Sequence, residues 1–127
     1  MDFQEAYAED KNAATKGKWM VTQAGFDVKV AKMGNPVYMA ELTRLQKPHL
    51  AALRSSADTS ELLDSIIIQA MSTHILFDWK AESNGKPIKY TPKLGAQYLT
   101  EYPEFREDIS ELALSRANFK PEVIGKK

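Results

Sequence analysis

Two histidines and seventeen carboxylates are the raw material for chemistry in this chain, and one pair among them has useful spacing. His74 and Asp78 are four residues apart, so on a helix their side chains would share a face and be able to hold a metal ion or exchange a proton. Two ligands do not complete a metal site. The simpler reading is an imidazole hydrogen-bonded to a carboxylate at the edge of a core. His49 follows Pro48 with Lys47 close by, and nothing in the sequence brings it to His74. Cysteine is absent, which removes thiolate nucleophiles, disulfides and thiolate metal sites. No serine stands in a Gly-x-Ser-x-Gly elbow, and no glycine-rich loop leads into a helix in phosphate-binding order. The expectation is a protein that is not an enzyme, has no cofactor or metal, and works through its surfaces.

The elements that would present such surfaces fit one domain over residues 1–127, since this length leaves no room for a second core. Seventeen basic residues balance the seventeen acidic ones, which argues against nucleic-acid binding by counterion release. The charges are grouped: residues 26–54 and 83–93 are mainly basic, residues 58–82 and 94–111 mainly acidic. Alternating blocks of this kind let one copy's basic face meet another's acidic face. No apolar run approaches the ~20 residues that span a bilayer, and the acidic start MDFQEAYAEDK lacks the apolar stretch of a signal peptide. These features place the chain in the cytoplasm where it is made, away from the membrane.

The segment 1–16 reads as flexible, with a weak helix that sets Phe3 and Tyr7 on one side. Trp19–Gln23 and Phe26–Val30 flank Ala24-Gly25, and Phe26, Val28 and Val30 alternate with Asp27 and Lys29, the period of a half-buried strand. A β-hairpin is predicted there. Asn35-Pro36 starts a helix, the asparagine as cap and the proline in the first turn, and Pro48 should kink or end it after Gln46 or Lys47. The longest helix is predicted over residues 60–81, behind Asp58 and Glu61 at capping-box spacing. Its apolar positions, from Leu62 through Ile75 and Phe77, cover more surface than a helix with one wet face needs. Ser83–Pro87 reads as an exposed turn and Ile88–Tyr90 as a short extended link. Thr91-Pro92 opens a last helix, bent near Tyr102-Pro103, and residues 121–127 form a flexible tail. The fold class expected is mainly α: a small helical domain of four or five helices with a short N-terminal β-hairpin. Trp19, Met20 and Tyr38 are the candidates for touching a partner, with Met33, Met39 and Met71 as further adaptable apolar side chains.

Three strings in order carry a resemblance. Gly17-Lys18-Trp19 and Phe26-Asp27-Val28-Lys29-Val30-Ala31-Lys32-Met33-Gly34-Asn35-Pro36-Val37-Tyr38 come first; Leu76-Phe77-Asp78-Trp79-Lys80 and Asn84-Gly85-Lys86-Pro87-Ile88-Lys89-Tyr90-Thr91-Pro92 follow; a helix ending near Arg116–Phe119 closes the series. Over residues 17–120 this resembles the tail assembly chaperones of phages with long, non-contractile tails. The departures are an inserted residue pair before Ala31 and Lys32 where arginine is common. The resemblance implies a chaperone that binds the tape measure protein, self-associates into rings or spirals, meets the tail tube protein, and is absent from the mature virion. It also implies a longer form made by ribosomal frameshifting. The competing expectation is a structural tail or head-tail connector protein that stays in the particle.

Overall fold

The longest apolar run divides into a helix and a strand. The structure, a computed structural model, describes residues 2–55 and 58–121; of the tail read as flexible, residues 122–127 lie outside the described part. Helix α5 spans Ser60–His74, and strand β3 spans Leu76–Ser83. The helix predicted to continue to residue 81 therefore ends seven residues earlier. The excess apolar surface has a direct explanation, because Ile75, Leu76 and Trp79 enter the core from a junction and a strand, not from a helix face. Ile75 makes the switch. Its N–H still donates to Met71 in the helix, and its carbonyl accepts from Ala31 N–H at 2.8 Å in the direction of the sheet.

The expectation of a mainly helical domain with only a short hairpin is corrected accordingly. Strands β1 (Lys18–Val21), β2 (Asp27–Val30), β3 and β4 (Lys86–Ile88) form one antiparallel sheet in the order β1-β2-β3-β4. Helix α3 (Pro36–Gln46), a 3-10 turn at Lys47–His49, helix α4 (Leu50–Arg54) and α5 are inserted between β2 and β3. Helices α6 (Pro92–Glu101) and α7 (Pro103–Leu114) follow β4. With α1 (Phe3–Tyr7), α2 (Lys11–Lys16) and a 3-10 turn at Arg116–Phe119, the described residues hold seven α-helices and two 3-10 turns. The segment read as an extended link is thus partly strand β4. Asn84 and Gly85 both take positive φ, 52° and 77°, the tight reversal that suits a two-residue hairpin between twisted strands.

Packing follows the alternation of each strand. Val28 and Val30 of β2 and Leu76 and Trp79 of β3 point to the helices, where Tyr38, Ile68, Met71, Leu99, Ile109 and Ala113 complete the main core. The pairing of β2 with β3 slips between Lys29 and Val30, so Phe77 is an extra residue on β3. Gly17, at φ 90°, leaves room for it: a Cβ there would lie 3.0 Å from the Phe77 ring and 3.2 Å from Lys29 Cγ. The segment set aside as flexible appears from residue 2 as α1 and α2. Asp10 caps α2, and Ala13 and Ala14 pack on Phe119.

The proline-led helix starts sit where the sequence put them, and Asn35 does more than cap. Its Oδ1 accepts from Val37 and Tyr38 N–H at 3.0 Å each, which satisfies two open donors of α3. Its Nδ2 donates to Lys32 O at 2.9 Å and to His74 O at 3.3 Å, the carbonyl at the end of α5. Asn35 is 4% exposed, so water does not replace these bonds. Asn35→Ala should cost about 2 kcal/mol by chemical denaturation, the sum of a lost cap and a lost donor to His74 O, while Lys32 O keeps the backbone N–H of residue 35. Asn35→Asp keeps the cap, loses the two donated bonds, and should fall no nearer the wild type than halfway.

Gly95 marks a second close approach. A Cβ on this residue of α6 would lie 2.3 Å from the Tyr90 hydroxyl and 2.6 to 2.7 Å from its ring. Gly95→Ala gains helix propensity of about 1 kcal/mol but must move the half-buried Tyr90 ring, and the clash should win, for a net stability loss of about 1–3 kcal/mol read as a lowered unfolding midpoint. An unchanged or raised midpoint would show that Tyr90 moves aside freely.

Candidate functional site

Trp19 and its neighbours are presented by the β1–β2 hairpin, which is closed by local bonds. Thr22 N–H donates to Phe26 O at 2.9 Å, Phe26 N–H donates to Thr22 Oγ1 at 3.1 Å, and Gly25 N–H donates to Thr22 O at 2.9 Å. Thr22 is buried, so the turn is pinned to the body of the protein. The residues beyond it are displayed to solvent: Trp19 is 42% exposed, Val21 58% and Phe26 45%. Lys80 of β3 places its ammonium 5.0 Å from the Trp19 ring centroid, within cation–π range. On the same face Asp27 stands opposite Lys80, and Lys29 opposite Asp78. A small apolar patch is therefore bordered by charges of both signs.

Phe26 lies between two hollows. One, of about 580 Å³, is lined by Gly25, Trp79, Ala81, Pro87 and Ile88 with Lys80 and Glu82 at its rim. The other, of about 350 Å³, lies between Thr22–Ala24 and the α7 residues Glu104, Phe105 and Asp108. A larger open groove of about 1200 Å³ runs between α5, α6 and α7. It carries Asp64, Glu104, Glu107, Asp108 and Glu111 against Arg106, which donates to Asp64 Oδ1 at 2.6 Å. Nothing in this groove pairs a nucleophile with a base.

The sequence candidates separate in space. Trp19 is on the surface. Met20, the next residue of the strand, points the other way and is half-buried between the main core and the Ala13–Ala14–Phe119 cluster. Tyr38 is 4% exposed and belongs to the core; burial raises its phenol pKa, offset in part by the charge of Arg106. Met71 is also core, whereas Met39 is exposed. Val21 joins Trp19 on the outer face, as the strand alternation implies, whereas Phe26, opposite Thr22 and in phase with Val28 and Val30, is exposed at the other face of the sheet. His74 and Asp78 do not share a helix face, because α5 stops at His74 and Asp78 lies in β3. Asp78 Oδ1 accepts from Trp79 N–H at 2.8 Å. Among the described residues no three His, Asp or Glu side chains are grouped to hold a metal ion.

Beneath the patch an aromatic cluster stiffens the sheet. Trp79 donates from Nε1 to Ile88 O at 2.8 Å and meets Tyr90 edge-on, with ring centroids 4.8 Å apart. Tyr98 and Phe105 enclose it from α6 and α7. The Tyr90 hydroxyl reaches Ser72 O at 2.5 Å and Leu76 O at 3.0 Å. Burial first, and the Asp78 charge second, raise the Tyr90 pKa well above that of a free tyrosine. The raised value means that neutral Tyr90 adds stability in full below the unfolded pKa of about 10, and that this contribution disappears as pH climbs from there toward the folded value. Tyr90→Phe should lose about 1–2 kcal/mol at neutral pH and should show a shallower alkaline decline than the wild type, read from denaturation curves across that range. Parallel declines would place the alkaline sensitivity elsewhere.

Comparison with known proteins adds an origin to this geometry. Neither the curated proteins nor the solved structures contain a match to the chain. A family profile described as YdaY prophage protein matches residues 33–126, from the end of the hairpin through α7 and beyond. That span is well over half of the chain, and the protein is a phage-derived member of the YdaY prophage protein family.

Proposed function

We propose that this prophage protein is a tail assembly chaperone, which binds the tape measure protein and copies of itself while a tail is built. The observation that carries the reading is the pinned hairpin, which holds Trp19 and Val21 in solvent on the outer face of the sheet and Phe26 between two hollows on the other face. Apolar side chains displayed on a rigid element, with charged neighbours, suit a surface that engages a partner and releases it. The resemblance over residues 17–120 and the prophage family support the same reading.

In this role the chain masks exposed apolar helices of a very long client until tail tube subunits take its place. Binding must be weak enough to be displaced, and an apolar pair, Trp19 and Val21, with a charged border meets that need. The protein carries out no chemistry. It acts in the host cytoplasm and leaves before the virion is complete, and a frameshifted longer form belongs to the same proposal. A structural tail or connector protein is the alternative, and it differs in remaining in the particle.

Co-expression with the tape measure protein of the same prophage tests the proposal, with light scattering on each protein alone and on the mixture. The expected result is a client that is insoluble alone and soluble in complex with this chain, and a purified virion that lacks the chain by mass analysis. Client solubility unaffected by the chain, or the chain found in the finished virion, would overturn the chaperone role.

A further inference from the structure

We propose that the open edge of β1 pairs with β1 of a second copy, antiparallel about a two-fold axis, so that two four-stranded sheets become one of eight. The proposal rests on the self-association in the reading above and names the surface that performs it.

The sheet has two edges, and they differ. Strand β4 has three residues with Pro87 in the middle, which removes a donor and blunts that edge. Strand β1 contains no proline. Thr22 N–H donates to Phe26 O, and with Lys18 opposite Val30 and Met20 opposite Val28 the ladder alternation turns Lys18, Met20 and Thr22 toward β2. The N–H and C=O groups of Trp19 and Val21 therefore face away from β2, along the open edge. Both side chains are exposed and lie on the outer face of the sheet.

The outward-facing groups and side chains select one register. With Met20 opposite Met20 of the second copy, Trp19 pairs with the other copy's Val21, twice by symmetry. The two residues then exchange four backbone hydrogen bonds, and an aromatic side chain lies across from a β-branched one. Continuing each row into the sheets, Trp19 has Lys29 behind it and Val21 has Asp27 behind it. Behind these lie Asp78 and Lys80, so each row carries both signs and the charges of the two copies stay about 14 Å apart in any register. The register is set by the edge itself: only with Met20 on the axis do the outward N–H and C=O groups of Trp19 and Val21 all pair with one another. A tape-measure strand on the same edge would have no such two-fold pattern to match.

Sedimentation velocity on the full chain over a range of concentrations reads the association. Val21→Pro removes two of the four bonds without touching the β1–β2 ladder and should weaken self-association roughly tenfold. Far-UV circular dichroism and the thermal midpoint confirm that the variant is folded, and Val21→Lys, at the same exposed position, gives a second reading if proline disturbs the strand. Register is tested by mixing. Trp19→Glu and Val21→Lys chains should each associate poorly alone and recover as a heterodimer when combined, since that pairing alone sets glutamate against lysine. A wild-type monomer at every concentration, variants that associate like wild type, or a mixture that fails to recover would each overturn the edge pairing. Client binding is read apart from this: a chain that pairs as described and leaves the tape measure protein insoluble would retire the chaperone reading and retain the pairing.

Discussion

The C-terminal end of α5 is buried, and a buried helix end must find donors for its last carbonyls within the protein. Here three parts of the chain supply them. The Tyr90 hydroxyl reaches Ser72 O, Asn35 Nδ2 reaches His74 O, and Ala31 N–H reaches Ile75 O. The first of these donors follows β4, and the other two lie in the stretch from β2 into α3. Satisfying one helix end thus fixes how the two halves of the sheet and the first long helix meet. The same bonds allow Leu76 to begin a strand directly after the helix, with a single residue between them.

The arrangement around Tyr90 follows from that need. Its hydroxyl must lie against the α5–β3 junction, and its ring must pass over α6, which is possible only where α6 has no side chain, at Gly95. Trp79 then packs edge-on against the Tyr90 ring and reaches Ile88 O, so β3 and β4 are held by side chains as well as by their ladder. On the other side of β3 the extra residue Phe77 turns toward Gly17, at the start of β1. The outer strands are short, four and three residues, and marginal by themselves. They hold their place because the long central strand β3 is anchored at its beginning.

Most local features were legible from local residues, although α5 is capped at Thr59 with no side-chain bond and Asp58 accepts from Ser60 instead of forming the expected box with Glu61. Asn35-Pro36 and Thr91-Pro92 start helices, Pro48 ends α3 at Gln46, Pro103 separates α6 from α7, and the alternation in Phe26–Val30 marks β2. The boundary inside residues 60–81 was concealed by Phe77. An extra residue in a strand breaks the two-residue period, so Leu76-Phe77-Asp78 looks like a continuing helix face. A signal was nonetheless available: Trp79-Lys80-Ala81-Glu82 alternates, and Asn84-Gly85 behind it is a strong hairpin marker. Long-range requirements left no such trace. Nothing in the sequence ties Asn35 to His74 or Tyr90 to Gly95, and the i,i+4 geometry that made His74 and Asp78 a candidate pair depended on α5 continuing past His74, where it ends. The displayed patch was half legible, since Trp19 is on the surface whereas Tyr38, placed beside it by residue type alone, is needed in the core.

The span of the family match separates two layers of this architecture. Residues 33–126 include the junction at Ile75, Tyr90, Gly95 and the helices, all of which build the core. The β1–β2 hairpin precedes that span. Without β2, however, β3 would lack a partner for Leu76–Lys80, and Ala31 N–H would no longer meet Ile75 O. The hairpin is therefore integral to the fold, and β1, at its outer margin, is the part least constrained by the core. Trp19 and Val21 contribute little to packing, and an apolar pair exposed on an open edge carries a standing risk of unwanted pairing. A proline or an added charge at Val21 would remove that risk at small cost to the core. Their place on a pinned hairpin, opposite an edge that proline does protect, is better accounted for by use of the edge than by packing.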